Sequence, residues 1–162
     1  MKHRGRIGPA ALVGVGAAVI PVDDEDSERT TVATVTSGTG EHMSTSNAAN
    51  VCSERVYQSV RKVPGGRLEE CTEDESMKSF IDKDFMKHPS VQHSNSTGAI
   101  GVLSVKKTRD GAYLYFAHNT DSFALASMHS QEFSPVCTMS RNKGNGVIAN
   151  GGRAIRNRKR KN

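Results

Sequence analysis

The stretch Thr30-Thr31-Val32-Ala33-Thr34-Val35-Thr36-Ser37-Gly38-Thr39-Gly40 decides the fold of this chain. Threonine alternates with valine and alanine at a period of two, which is the pattern of a β-strand with one face buried. The alternation ends abruptly at Ser37-Gly38-Thr39-Gly40, a glycine-rich turn. Upstream, Ala10 to Ile20 is a short apolar run rich in Val, Ala and Gly. It suits a central strand buried on both faces, with glycines where another layer comes close. Asp23-Asp24-Glu25-Asp26 separates the two runs as an exposed turn, so the strands are expected to pair as a hairpin.

Downstream the period changes. Ala49, Cys52, Val56, Val60 and Val63 recur at three- and four-residue spacing from about Ser46 until Pro64-Gly65-Gly66, which predicts an amphipathic helix. Thr72 and Glu75 form a capping-box pattern ahead of Met77, Phe80, Ile81 and Phe85, and His88-Pro89 ends that second, shorter helix. Gly98 to Val105 and Ala112 to Ala117 are strands joined around Asp110-Gly111, and Phe123 to Met128 is expected to continue the sheet. The fold class is therefore α+β, a mainly antiparallel sheet with helices on one face. Its other face must be solvated or covered by something else.

With 162 residues, 35% of them hydrophobic, the chain suits one domain with a core. The net charge is +5, but Arg153, Arg156, Arg158, Lys159, Arg160 and Lys161 supply six positives, which leaves −1 for the rest. The basic character therefore belongs to a tail. Beyond Arg141 the Gly/Asn/Arg composition has no periodicity, so residues 1–141 are expected to form the domain and 142–162 a disordered basic tail. That tail has the composition of a nuclear-import signal, and the expected location is cytoplasm or nucleus. No aromatics interleave its charges, which argues against a nucleic-acid-binding domain. Three cysteines (Cys52, Cys71, Cys137) without CxxC spacing are expected to be free thiols. Six histidines show no paired ligand spacing, so no metal or cofactor is expected. The charged start Met1 to Arg6 followed by apolar Ile7 to Val22 mimics a leader. Pro9, Gly14, Gly16 and the lack of a clean cleavage site favour a buried strand instead, and the run is too short to span a bilayer.

A second glycine-rich turn, Arg4-Gly5-Arg6-Ile7-Gly8, precedes the first strand, so a hairpin would bring both turns to one end of the sheet. Turns there present backbone N–H groups and an arginine fork, the means of holding an oxyanion and a carboxylate.

Lys2-His3-Arg4-Gly5-Arg6-Ile7-Gly8-Pro9, Thr36-Ser37-Gly38-Thr39-Gly40-Glu41-His42 and Phe116-Ala117-His118-Asn119-Thr120 resemble, in order and spacing, three segments of taspase within the asparaginase family of N-terminal-nucleophile hydrolases. The resemblance covers the chain to about Ala126. It implies an αββα sandwich, of which this chain would be the C-terminal, β-subunit part, and a threonine-type peptidase activity. An autocatalytic cut exposes a threonine whose hydroxyl attacks an amide while its own α-amine acts as base. Carried over, Arg6 would pair with the substrate carboxylate, Ser37 and Gly38 would form the oxyanion hole, and Gly40 would let the backbone approach the substrate. The nucleophile itself would lie upstream of Met1. The implied partners are an aspartate-containing peptide or protein and the α portion of the same precursor, in a dimer of processed heterodimers with no membrane association.

Asparaginases of this family have an acidic residue three positions after that arginine, where it holds the substrate α-ammonium. Here the position is Pro9. A free asparagine would leave its ammonium unpaired at about 1–3 kcal/mol. An Asp-X peptide has a neutral amide at that nitrogen, so cleavage after aspartate is expected. The alternatives are an asparaginase or isoaspartyl peptidase, or an inactive truncated homologue acting as an interaction protein. Asn119-Thr120 is expected to close a strand by side-chain hydrogen bonds.

Overall fold

The computed structural model describes residues 11–144 and 146–156. Its elements run β1 (Ala17–Ile20), β2 (Thr31–Gly38), α1 (Gly40–Thr45), α2 (Ala48–Gln58), β3 (Val60–Lys62), β4 (Leu68–Glu70), α3 (Glu73–Ser79), a π-helical segment (Phe80–Phe85), α4 (Pro89–Gln92), β5 (Ile100–Thr108), β6 (Gly111–His118), β7 (Ser122–Ser127), β8 (Val136–Arg141) and β9 (Ala149–Arg156). Five strands form one sheet in the order β1-β2-β5-β6-β9, and every ladder in it is antiparallel. This is the expected mixed class, with helices packed on one sheet face.

Alternation along β2 sets the two faces. Val32, Thr34 and Thr36 are buried, while Ala33, Val35 and Ser37 are exposed. On the buried side Val32, Ile100, Val102 and Ala117 meet Cys52 and Val56 of α2 and Met77, Phe80, Ile81 and Phe85. A buried Thr34 Oγ1–Ser104 Oγ hydrogen bond of 2.7 Å lets two hydroxyls sit in this core without unmet polar groups.

Helix α2 stops at Gln58, earlier than its apolar spacing predicts. Ser59 adopts a left-handed conformation (φ 52°), and the Lys106 ammonium takes the Val56 carbonyl (3.2 Å) and Ser59 Oγ (2.9 Å). Val60 therefore belongs to the β3–β4 hairpin. The Thr72–Glu75 capping box is present in both directions, Glu75 N–H to Thr72 Oγ1 at 3.3 Å and Thr72 N–H to Glu75 Oε2 at 3.1 Å. Past Ser79 the helix loosens, with Met86 N–H reaching back five residues to the Ile81 carbonyl.

Three expectations are corrected. The first apolar run is not a central strand. Gly14 (φ 78°) turns the chain, and of the run's described residues Ala17–Ile20 forms the strand, which stands at the end of the described sheet with Val19 exposed. Phe123 to Met128 does not continue the sheet, because β7 and β8 form a separate hairpin. Asn119 turns the chain out of the sheet, and Phe123 of β7 lies over Gly101, where a Cβ would come within 2.4 Å of the ring. Residues 149–156 of the expected disordered tail form β9, paired with the whole of β6. The glycines that suggest a loop are required there by crowding: a Cβ on Gly151 would meet the Phe116 ring at 2.8 Å, and one on Gly152 would meet the Leu114 carbonyl at 2.2 Å.

The hairpin covers only part of the face opposite the helices. Phe123 stacks on His118 (5.5 Å) and Phe116 (6.3 Å), His118 Nε2 bonds to Ser140 Oγ (2.8 Å), and Arg153 of β9 binds Glu132 and Ser127. Ala17, Val19, Ala33, Val35 and Val105 stay exposed on the β1–β2–β5 half.

Candidate functional site

Ser37 and Gly38 end β2, and Gly40 opens α1. The backbone of β5 fixes their position. A Cβ on Gly38 would lie 2.0 Å from the Ala99 carbonyl oxygen, so only glycine permits this approach. Thr39 then ties the same residue twice, donating its N–H to Ala99 O (2.8 Å) and accepting from Ala99 N–H at Oγ1 (3.2 Å). His42 behind it is buried, with Nε2 3.0 Å from Ser96 Oγ. The turn is held by backbone contact and two hydrogen bonds before any ligand arrives.

Asn119 decides where the Gly38 N–H points. The Ile100 N–H donates to Asn119 Oδ1 (2.8 Å), the Ile100 carbonyl accepts from Asn119 N–H (3.1 Å), and Asn119 Nδ2 donates to Gly98 O (2.8 Å). Both backbone groups of Ile100 thus face the β6 side. Its rung partner Gly38 is a non-hydrogen-bonded pair, with its N–H directed away from β5. The same side carries the Thr36 N–H, which bonds to Gly16 O at 2.9 Å. The β1–β2 ladder stops at the Ala17–Val35 rung, so among the described residues no strand rung continues opposite Gly38. The expected closure of a strand by Asn119 is what the geometry displays.

Ser37 lies on the face opposite the helices, in the rung row Ser37, Gly101, His118, Ala149. Phe123 covers Gly101 and His118, which leaves the exposed Ser37 at the border between the covered and uncovered halves. Arg6 and Pro9 lie outside the described residues, so the proposed carboxylate clamp has no geometry here. The structure brings together Ser37, Gly38 and Gly40. The contact of Gly101 with Phe123 was not foreseen from the sequence, although a lone glycine inside an apolar strand signals close approach.

Other groups have structural settings. Cys52 is fully buried and burial pushes its thiol up to about 12, so it stays protonated and unreactive, while Cys71 is half-buried and Cys137 exposed. Lys106 holds Glu73 at 2.7 Å. Burial is the largest single influence and works against the Glu73 carboxylate, but the Lys106 hydrogen bond and charge, the backbone N–H and the Ser59 hydroxyl together outweigh it, so its pKa lies below the ordinary value. Among the described residues no cluster of three His, Cys, Asp or Glu side chains could hold a metal ion, and no helix is long and apolar enough to cross a membrane. No protein-family model and no curated protein sequence matches this chain.

Proposed function

We propose that this chain is the substrate-binding part of a threonine-nucleophile amidohydrolase, a taspase-like endopeptidase that cuts after aspartate. The observation that carries the reading is the Gly38 N–H, held rigidly away from β5 beside the exposed Ser37 hydroxyl. A backbone N–H held in place with a hydroxyl next to it at a strand end offers a tetrahedral oxyanion two donors, and removing one such donor typically slows acyl transfer about 10²–10³-fold. Arg6 would supply the fork for the aspartate carboxylate, and Gly40 the close approach of substrate backbone.

The uncovered half of the sheet supports an αββα sandwich. Phe123 places β7 over β5 and β6; Leu125 and Ser127 of β7 line a pocket with Val136 and Thr138 of β8 and Gly151–Arg153, and β8 is the strand of the hairpin that packs more closely against β9. The outer edge of β7 thus faces the bare β1–β2–β5 half. Strands added at that edge would bury Val19, Val35 and Val105, and the α portion and the threonine-led strand would be their source. On this reading the nucleophile belongs upstream of the Arg6 segment, whereas Thr30 and Thr31 follow it.

The test is to express the protein together with the coding sequence that adjoins Met1 and to assay Asp-X peptides and free asparagine. Cleavage after aspartate and a new N-terminal threonine by mass spectrometry are expected, with Ser37→Ala about 10²-fold slower. Ammonia release from asparagine with Asp-X peptides left intact would refute the peptidase reading.

A further inference from the structure

A cleft lies on the helix side of the molecule, away from Ser37–Gly40. It has a volume of about 740 Å³ and is bounded by β3, the end of α3 and the π-helical segment. Four cations, Arg61, Lys62, Lys78 and Lys83, line it with two acids, Glu75 and Asp82, an excess of two positive charges.

The carboxylates near this cleft are already engaged. Glu75 Oε2 closes the α3 capping box, and only its Oε1 approaches Arg61, at 3.6 Å. Asp84 takes two hydrogen bonds from Arg55 (3.0 and 3.3 Å), so Lys62 at 3.6 Å shares a carboxylate that already has a guanidinium. Among the described residues Lys83 pairs only with its neighbour Asp82, both half exposed. Arg61 Nε has no acceptor among the described residues. The Arg61–Glu75 and Lys83–Asp82 pairs are exposed, and exposed ion pairs contribute little. These cations keep donor capacity that their present partners do not fill.

We infer that this cleft binds an acidic, aliphatic polypeptide segment. The cations come from three elements and are spread along an open cleft, which suits successive carboxylates better than one converging anion. Val63, Pro64 and Ile148 give an apolar wall for an aliphatic side chain between the charges. No aromatic ring is among the lining residues, and Glu75 and Asp82 would repel a continuous phosphodiester chain.

Fluorescence anisotropy on the full chain tests this with a labelled peptide alternating Glu or Asp with Leu. Inorganic phosphate and a single-stranded oligonucleotide serve as competitors. Binding is expected to weaken steadily with salt. The Lys78→Glu/Lys83→Glu double variant, which turns the excess from +2 to −2, is expected to bind roughly tenfold or more weakly. Lys78→Gln/Lys83→Gln should fall between it and the parent, and Lys107→Glu, on the opposite sheet face, should bind like the parent. Circular dichroism checks that each variant is folded. Equal affinity of the parent and both double variants would overturn the inference. So would displacement of the peptide by phosphate or oligonucleotide at concentrations no higher than unlabelled peptide requires.

Discussion

Gly38→Ala is a substitution of one methyl group with a large expected cost. The new Cβ would sit 2.0 Å from the Ala99 carbonyl oxygen and 2.9 Å from the Ile100 Cα. A carbon–oxygen contact needs about 3.3 Å, so β2 and β5 must part by roughly 1.3 Å at this rung. Such a shift stretches the Thr39–Ala99 bonds, now 2.8 and 3.2 Å, beyond hydrogen-bonding distance. Two lost bonds at about 1 kcal/mol each, with an overpacking cost of about 1–3 kcal/mol, sum to roughly 3–5 kcal/mol. For a small domain with a urea m-value of about 2 kcal/mol/M, the midpoint should fall by roughly 2 M. Hydrogen exchange should accelerate first at Thr39 and Ala99. Gly144→Ala is the control, because a Cβ there meets nothing within 4 Å. If Gly38→Ala unfolds within about 0.5 kcal/mol of the parent, β5 does not constrain the turn, and the fixed Gly38 N–H loses its basis.

Asn119→Ala should cost about 2–4 kcal/mol in urea unfolding, because it leaves the N–H of fully buried Ile100 without its acceptor. Thr72→Ala should cost about 1 kcal/mol by removing the α3 cap, with Thr72→Ser close to the parent in a thermal melt. Acid should loosen the β7–β8 hairpin before the core. The Arg153 hydrogen bonds, then the His129 N–H, hold the Glu132 carboxyl down at about 2 against an ordinary 4.5. A depressed folded-state value means that this stabilisation is complete above about pH 4.5 and is lost as pH falls toward 2. Hydrogen exchange of β7 and β8 amides should rise selectively in that window, and Glu132→Gln should abolish the pH dependence.

The elements legible in the sequence are those with local signals. Strand β2 showed its alternation, the β5–β6 hairpin its Asp110-Gly111 turn, and α3 its capping box. Asn119 was legible for the same reason, as a side chain that closes a strand end. What escaped depends on distant partners. Helix α2 ends where Lys106, 47 residues after Ser59, takes its carbonyl and cap hydroxyl. Strand β9 resembled a loop because its glycines answer to Phe116 and Leu114, about 35 residues away, and composition alone cannot show crowding. Of the candidate site, the glycine turn was readable, but the direction of the Gly38 N–H was not, since Asn119 sets it through Ile100 from across β5.

The pairing of β9 with β6 has a consequence for synthesis on the ribosome. The chain emerges from its N-terminus, and β6 is complete about 30 residues before Ala149 follows. During that interval β6 is itself an open edge, with unpaired backbone groups along Gly111–His118. The hairpin β7–β8 also lacks Arg153, the β9 residue that binds Glu132 and Ser127. A nascent chain halted near Arg141 should therefore engage holding chaperones and resist proteases poorly. Both traits should disappear once β9 has cleared the exit tunnel.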